Sequence, residues 1–444
     1  MKHRGRHRRR RRGRALRAAL AGAALALTGA ATMISASQAT VADDPGRLKP
    51  LLSHSERAPM RLTEHRVPQR WLDRLSSAMG SPLDVATVLG TADRTLRGTA
   101  ECTAGERRAL PVAPAATRAY CWDEADTRGW RPGAVAASGD SDGSPGPDPV
   151  IVSAWSRETG GPAGRGLARV DLVAAGAPDA AGDAGEEDRP RRTSALLVVP
   201  VDGGDDYRGL ASPVTGMVRH QDKLLVTGGT GDRNALYVYD LDRILRTTAD
   251  ADAVGRVPGG WAALGQPYVL PAVAAYRLSE GVGAARPYTL ALDRGSTPPG
   301  LVAGEWVPPD GERPTRLWRY AFSTDPSRAG LPAAEADGRV DAREAYETGA
   351  DGVRGVLAHR PPGQARAEWY LGRAAGDGPD GRGTLVRQDT GGTRAAECGA
   401  DRSQRCWSPG AGPLSYRPGT GEVWSQAGRV LFAMPLTSVD GSLG

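Results

Sequence analysis

The stretch Lys223–Asn234, KLLVTGGTGDRN, is compatible with two different folds. A strand running into glycines can cradle a dinucleotide pyrophosphate, or it can simply turn back as a β-hairpin. The first option requires a helix directly after the glycines, because the pyrophosphate rests on the helix N-terminus, and an acidic residue about 20 positions on. The next residues in the chain are ALYVYDLDRI, where Leu236, Val238 and Asp240 alternate with Tyr237, Tyr239 and Leu241. A period-two run of β-branched and aromatic residues is a strand, so the glycines mark a hairpin turn. A nucleotide cofactor is thereby disfavoured, and an all-β chain is expected.

The same texture runs from about residue 100 to the C-terminus: short apolar runs of strand length such as PVIVSAW, SALLVVPV, RLWRYAF and RVLFAMPL, punctuated by Gly, Pro, Asp and Asn. An internal repeat organises them. VTGMVRH at 214–220 aligns with VRGVLAH at 353–359, and in both places two further strands follow. Fainter copies start near residues 133, 288 and 412. Repeated antiparallel units bury both faces when stacked radially, which predicts a β-propeller of five blades with long inter-strand loops. A β-sandwich or two separate β domains would use the same strands. The segment TRAYCWDEAD, 117–126, has strand character and could complete the last blade.

Ahead of this region, residues 1–39 read as a secretory signal peptide: a basic start, a weakly apolar stretch and small residues at Ser37 and Ala39. An uncleaved anchor and twin-arginine export are the alternatives. Residues 40–99 read as a polar arm holding one short helix, opened by Pro68, stopped by Gly80, and striped by Trp71, Leu72, Leu75 and Met79. The propeller domain takes residues 100–444. After cleavage no transmembrane segment is expected. Residues 1–39 carry 10 of the 57 Lys and Arg and none of the 51 Asp and Glu, so the remainder has 47 − 51 = −4 formal charge. The basicity belongs to the targeting segment, and a nucleic-acid partner is disfavoured.

Cys102, Cys121, Cys398 and Cys406 make an even set in an exported chain, which predicts two disulfides of three possible pairings. Local pairing would close one loop near each end. No CxxC spacing accompanies them, so no metal centre is expected. AEADGRVDARE, 334–344, approximates a calcium loop through Glu335, Asp337, Asp341 and Glu344, but position one is an alanine; bound calcium is the one cofactor left open. GDSDGSPGP, 139–147, breaks the trypsin-like nucleophile pattern at Asp142 and reads as a solvated loop.

His220 and His359 end the repeated motif, and with Arg219 they are the candidate catalytic residues at a channel mouth. Trp318, Tyr320, Trp369, Tyr370 and Trp424 could floor a carbohydrate or peptide site, although core packing suits them better.

ERRALPVAPAATRAYCW at 106–122, the unit 214–241, and LSYRPGTGEVWSQAGRVLFAMPL at 414–436 together resemble a family of uncharacterised actinobacterial secreted proteins with a β-propeller-like repeat pattern. That resemblance implies an exported repeat-built β protein and supplies no catalytic residues. The function expected is a secreted binding or scaffolding module with a carbohydrate or protein ligand. The alternative is an extracellular propeller enzyme, a glycan lyase or hydrolase.

Overall fold

The computed structural model describes residues 44–138, 150–158, 166–176, 189–229, 233–279, 283–309, 311–361, 363–364, 366–374 and 381–444. The expected signal peptide, the loop 139–147 and the tip of the opening hairpin at 230–232 lie outside them. Residues 45–444 form one compact unit.

The chain is mostly β. Lys223–Thr227 and Asn234–Asp240 pair antiparallel with Leu225 opposite Val238, so the glycine stretch joins two strands and no helix follows it. They are the middle of an antiparallel meander that starts with Met217–His220 and ends with Tyr268–Leu278. An earlier meander runs through Trp130–Ala137, Val150–Arg157, Ala168–Ala174 and Arg191–Val201. A third takes Thr289–Asp293, Gly300–Gly304, Thr315–Ala321 and Glu344–Thr348. A fourth takes Val353–His359, Glu368–Arg373, Thr384–Gln388 and Thr393–Ala395. The last consists of Ser415–Arg417, Glu422–Ala427 and Val430–Pro435, and two strands come from the front of the chain: Arg118–Cys121, with Cys121 opposite Val430, and Arg97–Gly98 at the outer edge. The first two sheets are also joined at their outer edges, because Tyr268–Pro271 run parallel to Ala195–Val198.

Both faces of each sheet are apolar because each packs on the next one. In the strand Asn234–Asp240, Tyr237 and Tyr239 point to a core with Val152, Val170 and Leu197 of the first sheet, while Leu236 and Val238 point to a core with Leu301, Trp318 and Tyr320 of the third. The third and fourth sheets meet through Val302, Leu317, Val356 and Leu371, and the fourth and last through Leu357, Leu385, Val423 and Phe432. A further core returns to the beginning, where Trp424 and Leu431 pack with Val135, Ile151 and Trp155 of the first sheet. This is radial, propeller-type stacking: burial of both faces replaces the polar outer face of an ordinary antiparallel sheet.

The innermost strands pass so closely that side chains are excluded. A Cβ on Gly133 would lie 1.9 Å from the Val214 carbonyl oxygen, and one on Gly355 would lie 2.5 Å from that of Gly412. Gly133→Ala therefore forces two sheets apart, and overpacking of this kind costs about 1–3 kcal/mol. Chemical denaturation of the variant should show that loss; an unchanged midpoint would mean the two strands are not in contact.

Residues 45–99, expected as a polar arm, belong to the same unit and cover sheet edges. Leu62–Arg66 pairs with the far end of Tyr268–Leu278, Lys49–Pro50 with Glu344–Thr348, and Arg94–Thr95 with Arg191 and Arg192. Covered edges cannot template pairing with another chain. The expected helix is Gln69–Met79, with Gly80 at its C-cap in a positive-φ conformation (113°) and Leu72, Leu75 and Met79 buried. Helices Val85–Gly90 and Leu436–Ser442 add to it. No helix among the described residues is long and apolar enough to cross a membrane. The disulfides are Cys102–Cys121 and Cys398–Cys406, the local pairing of the three. Both lie near the closing strand, since Val112 N donates to the Cys406 carbonyl at 2.8 Å.

Candidate functional site

The innermost strands begin at Trp130, Met217, Thr289, Val353 and Ser415 and end at Ala137, His220, Asp293, His359 and Arg417. Two cavities open at the beginnings. One, ≈ 580 Å³, is lined from every sheet: Arg131, Pro132 and Gly133 of the first, Pro213–Thr215 before the second, Tyr288 before the third, Arg354 of the fourth, and Pro409–Pro413 with Gln426–Gly428 around the last. A second, ≈ 500 Å³, shares Pro213, Thr215 and Tyr288 and continues over Gly228, Gly229, Ala284, Arg286, Glu305, Trp306 and Arg313. Together they form one basin.

Local hydrogen bonds fix its wall. The buried Thr227 Oγ1 accepts from the backbone N–H groups of Thr215 and Gly216, both at 3.0 Å, and Thr215 Oγ1 donates to the Tyr288 carbonyl at 2.6 Å. On the floor, Ser153 Oγ donates to Gln426 Oε1 at 2.5 Å between buried side chains. Between the two cavities the Tyr288 and Trp306 rings lie 5.1 Å apart, and the Arg354 guanidinium sits 4.9 Å from the indole centroid. Burial pushes the Tyr288 phenol above its usual range, while the positive charges of Arg354 and Arg131 act in the opposite direction. Glu305 is buried beneath Trp306 and accepts from Arg316 Nε and Nη2 and from Arg313 Nη1, each at 2.8 Å. Arg131 pairs with Glu158 on the rim.

The histidines stand at the opposite ends of their strands. His220 is buried with its ring 4.1 Å from that of Phe322, towards the third sheet. Arg219 precedes it on the same strand and therefore faces the other way, its Nε donating to the Gln221 carbonyl at 3.3 Å. His359 is half-buried with its ring edge against Tyr416 of the last sheet, 5.2 Å away. The two rings thus lean on different partners. Burial pulls the His359 imidazole below its ordinary value, against the raising influence of Asp440, Glu368 and Asp293. Between that lowered value and the unfolded value of about 6.5, the folded chain binds fewer protons than the unfolded one, so this stabilisation is lost as pH falls through the window. Denaturation titrations below about pH 6.5 should show His359→Gln losing less stability on acidification than the parent chain; parallel profiles would contradict the reading.

The remaining expectations also have definite places. In the calcium-like loop, Asp341 is held by Arg61 at 2.7 Å and Arg339 at 3.0 Å, and Glu344 by Arg319 at 3.3 Å. Among the described residues, Asp222, Asp240 and Asp242 do converge, with Lys223 bonded to the first two. Trp318, Tyr320, Trp369, Tyr370 and Trp424 are all buried in packing between sheets.

The basin residues escaped sequence reasoning although a signal existed. Thr215 and Arg354 occupy the second position of the repeated VTGMVRH and VRGVLAH, five residues from the histidines on which attention fell.

No protein family and no curated protein matches this chain. Among solved structures it is similar to a gluconolactonase of Xanthomonas campestris, with 15% identity over 80% of this chain and 98% of that one at a TM-score of 0.30. It is also similar to the Dos1 propeller, with 8% identity over 69% and 68% of the two chains at a TM-score of 0.25. Likenesses this slight carry no weight for activity.

Proposed function

We propose that the chain is a secreted five-bladed β-propeller that acts as a binding or scaffolding module outside the cytoplasm, and that its ligand sits in the basin at the beginnings of the inner strands. Supporting the blade count are the cores between successive sheets and the return of the last core to the first sheet. Two disulfides fit an oxidising location. Kinship with the actinobacterial secreted proteins, and cleavage after Ala39, are parts of the same proposal; N-terminal sequencing of exported protein should begin at Thr40.

One observation carries the binding reading: the basin draws residues from every sheet around the ring, and such convergence over a propeller axis is where a ligand gains the most contacts. A thermal-shift screen of the purified protein across glycans, peptides and divalent ions tests it. A ligand that raises the melting temperature of the parent should lose that shift in Ala284→Trp, which fills the second cavity, or in Arg131→Trp, which crowds the first. An equal shift in both variants would remove the basin from consideration.

A second reading, an enzyme at the opposite mouth, draws on the surroundings of His359. Tyr370 Oη donates to Asp440 Oδ1 at 2.7 Å, Arg387 bridges Asp440 and Glu368, and both carboxylates act on the imidazole. Glycan hydrolysis or elimination abolished by His359→Gln, with the fold intact, would establish it.

A further inference from the structure

We infer that the basin is one end of a trough that takes an uncharged polysaccharide, an extended chain of neutral pyranose units. The inference rests on the binding reading above and specifies its ligand.

Shape gives the first argument. The two basin cavities share Pro213, Thr215 and Tyr288. The first of them also shares Pro132, Ala427 and Gly428 with a third cavity, ≈ 490 Å³, which lies in the seam between the last and first sheets and reaches Trp130 and Glu124. Each of the three is already of a size that holds one small ligand, and they are joined end to end. A ligand that uses them all is an extended chain.

Charge gives the second. The wall is built of ion pairs that are already closed. Arg131 is on Glu158, Arg157 lies 3.7 Å from Asp252, Arg313 donates to Glu305 at 2.8 Å, and Arg429 lies 3.4 Å from Glu106 and 3.3 Å from Glu124. Arg286 Nη1 donates to the Asn234 carbonyl at 3.0 Å. Arg128 and Arg354, the other two arginines of the lining, are exposed, so solvent screens their charge. A charged ligand must break such pairs to gain one of its own. A hydroxyl need not: it donates to a spare lone pair of a carboxylate and accepts from a spare N–H of a guanidinium while the pair stays in place.

Surface chemistry gives the third. Half-buried aromatic rings stand at both ends, Tyr288 and Trp306 in the basin and Trp130 in the seam. A pyranose presents an apolar C–H face to such rings and hydroxyls around its edge to the ion pairs. The Arg354 guanidinium, 4.9 Å from the Trp306 centroid, brings N–H donors for those hydroxyls beside the basin platform. An extended peptide would instead exploit main-chain pairing, yet Pro132, Pro213, Pro287, Pro409 and Pro413 of the lining have no N–H to offer it.

Calorimetric titration of the purified protein with cello-, manno- and xylo-oligosaccharides, each from the disaccharide upward in length, tests the inference, with polygalacturonate oligomers and poly-L-proline as comparisons. At least one neutral series should bind, its affinity rising with length until the trough is filled and changing little as salt is raised. For the longest oligomer, Arg354→Ala should weaken binding about tenfold or more, the loss of a hydrogen bond from a charged donor, and Trp306→Ala and Trp130→Ala about threefold to tenfold each. Trp306 and Trp130 stand at opposite ends, so a disaccharide should feel only one of the two substitutions. The length series needs no variant and therefore decides the matter even where Trp130→Ala fails to fold.

Absence of binding in all three neutral series, an affinity that does not change with length, or tighter binding of polygalacturonate or poly-L-proline would each overturn the assignment. Unchanged affinity for the longest oligomer in both tryptophan variants would do the same. These failures are distinct from failure of the basin itself: a probe that binds and is blocked by Ala284→Trp or Arg131→Trp keeps the basin and changes its ligand, whereas a probe unaffected by either plug sinks both readings.

Discussion

Replacing Glu422 by alanine is expected to cost about 3–5 kcal/mol of stability, because it strands a buried charge. Glu422 accepts both contacts of a bidentate pair from Arg118 Nη2, at 2.8 and 2.6 Å, and both side chains are buried. Arg118 opens the strand that the front of the chain lends to the last sheet, and its guanidinium lies 4.9 Å from the Trp424 ring centroid. The pair is therefore a bolt across the closure. Removing both charges with Arg118→Met and Glu422→Leu should recover most of the loss, since a well-packed apolar pair is often as stable as a buried ion pair. Denaturant midpoints at constant m-value measure both variants. A loss below about 1 kcal/mol for Glu422→Ala, the value typical of an exposed pair, would place these residues in solvent and open the ring there.

The second large effect belongs to the other side of the same closing strand. Asp171 of the first sheet is fully buried; its Oδ2 accepts from Trp122 Nε1 at 2.8 Å, and it faces Arg169 at 3.3 Å and Arg192 at 3.6 Å. Trp122 follows Arg118–Cys121 directly, so this carboxylate ties the lent strand to the beginning of the ring. Asp171→Ala leaves two buried guanidiniums facing one another, Arg192 on the Asp126 carboxylate and Arg169 on the Asp126 backbone carbonyl, and about 3–5 kcal/mol is expected to go with it. Burial already pulls Arg169 below its ordinary value, with Arg192 among the groups that oppose its charge. Asp171→Asn should cost less, because the amide oxygen can keep the tryptophan bond. Near-equal losses for the two variants would assign the effect to the charge rather than to the tryptophan bond, and losses below about 1 kcal/mol in both would show that the charge of Asp171 is unimportant.

Much of this architecture was legible in the residues. Repeat starts read at 133, 214, 288, 353 and 412 fall within three residues of the starts of the innermost strands, where Gly133, Gly216, Gly355 and Gly412 stand because a neighbour passes closely. The lent strand was also visible, since TRAYCWDEAD has aromatic strand character and the last unit lacked a strand. Residues 45–99 were harder to place. Lys49–Pro50 and Arg94–Thr95 are two-residue strands with polar side chains, and no periodicity can announce them; the unpaired edges they cover decide their conformation.

At the site, the sequence drew attention to the histidine end of the repeated motif, and the basin opens at the other end. A histidine is conspicuous chemistry, whereas Arg354 and Thr215 gain meaning only when strands distant in sequence bring them beside Tyr288 and Trp306. Trp306 and Arg313 lie between strands, where no pattern marks a functional residue. The tryptophans and tyrosines within strands, read as better suited to the core than to a ligand, are packing, because these sheets are buried on both faces.

Everything proposed about function turns on ligand binding at the beginnings of the inner strands. Thermal shift with the ligand found in the screen of glycans, peptides and divalent ions, run side by side on the parent chain, Arg354→Ala and the double variant His220→Gln with His359→Gln, addresses it most directly. A shift is expected in the parent and in the histidine variant, with its loss in Arg354→Ala. A shift that survives in Arg354→Ala and disappears with the histidines would move the site to the opposite mouth and contradict binding in the basin.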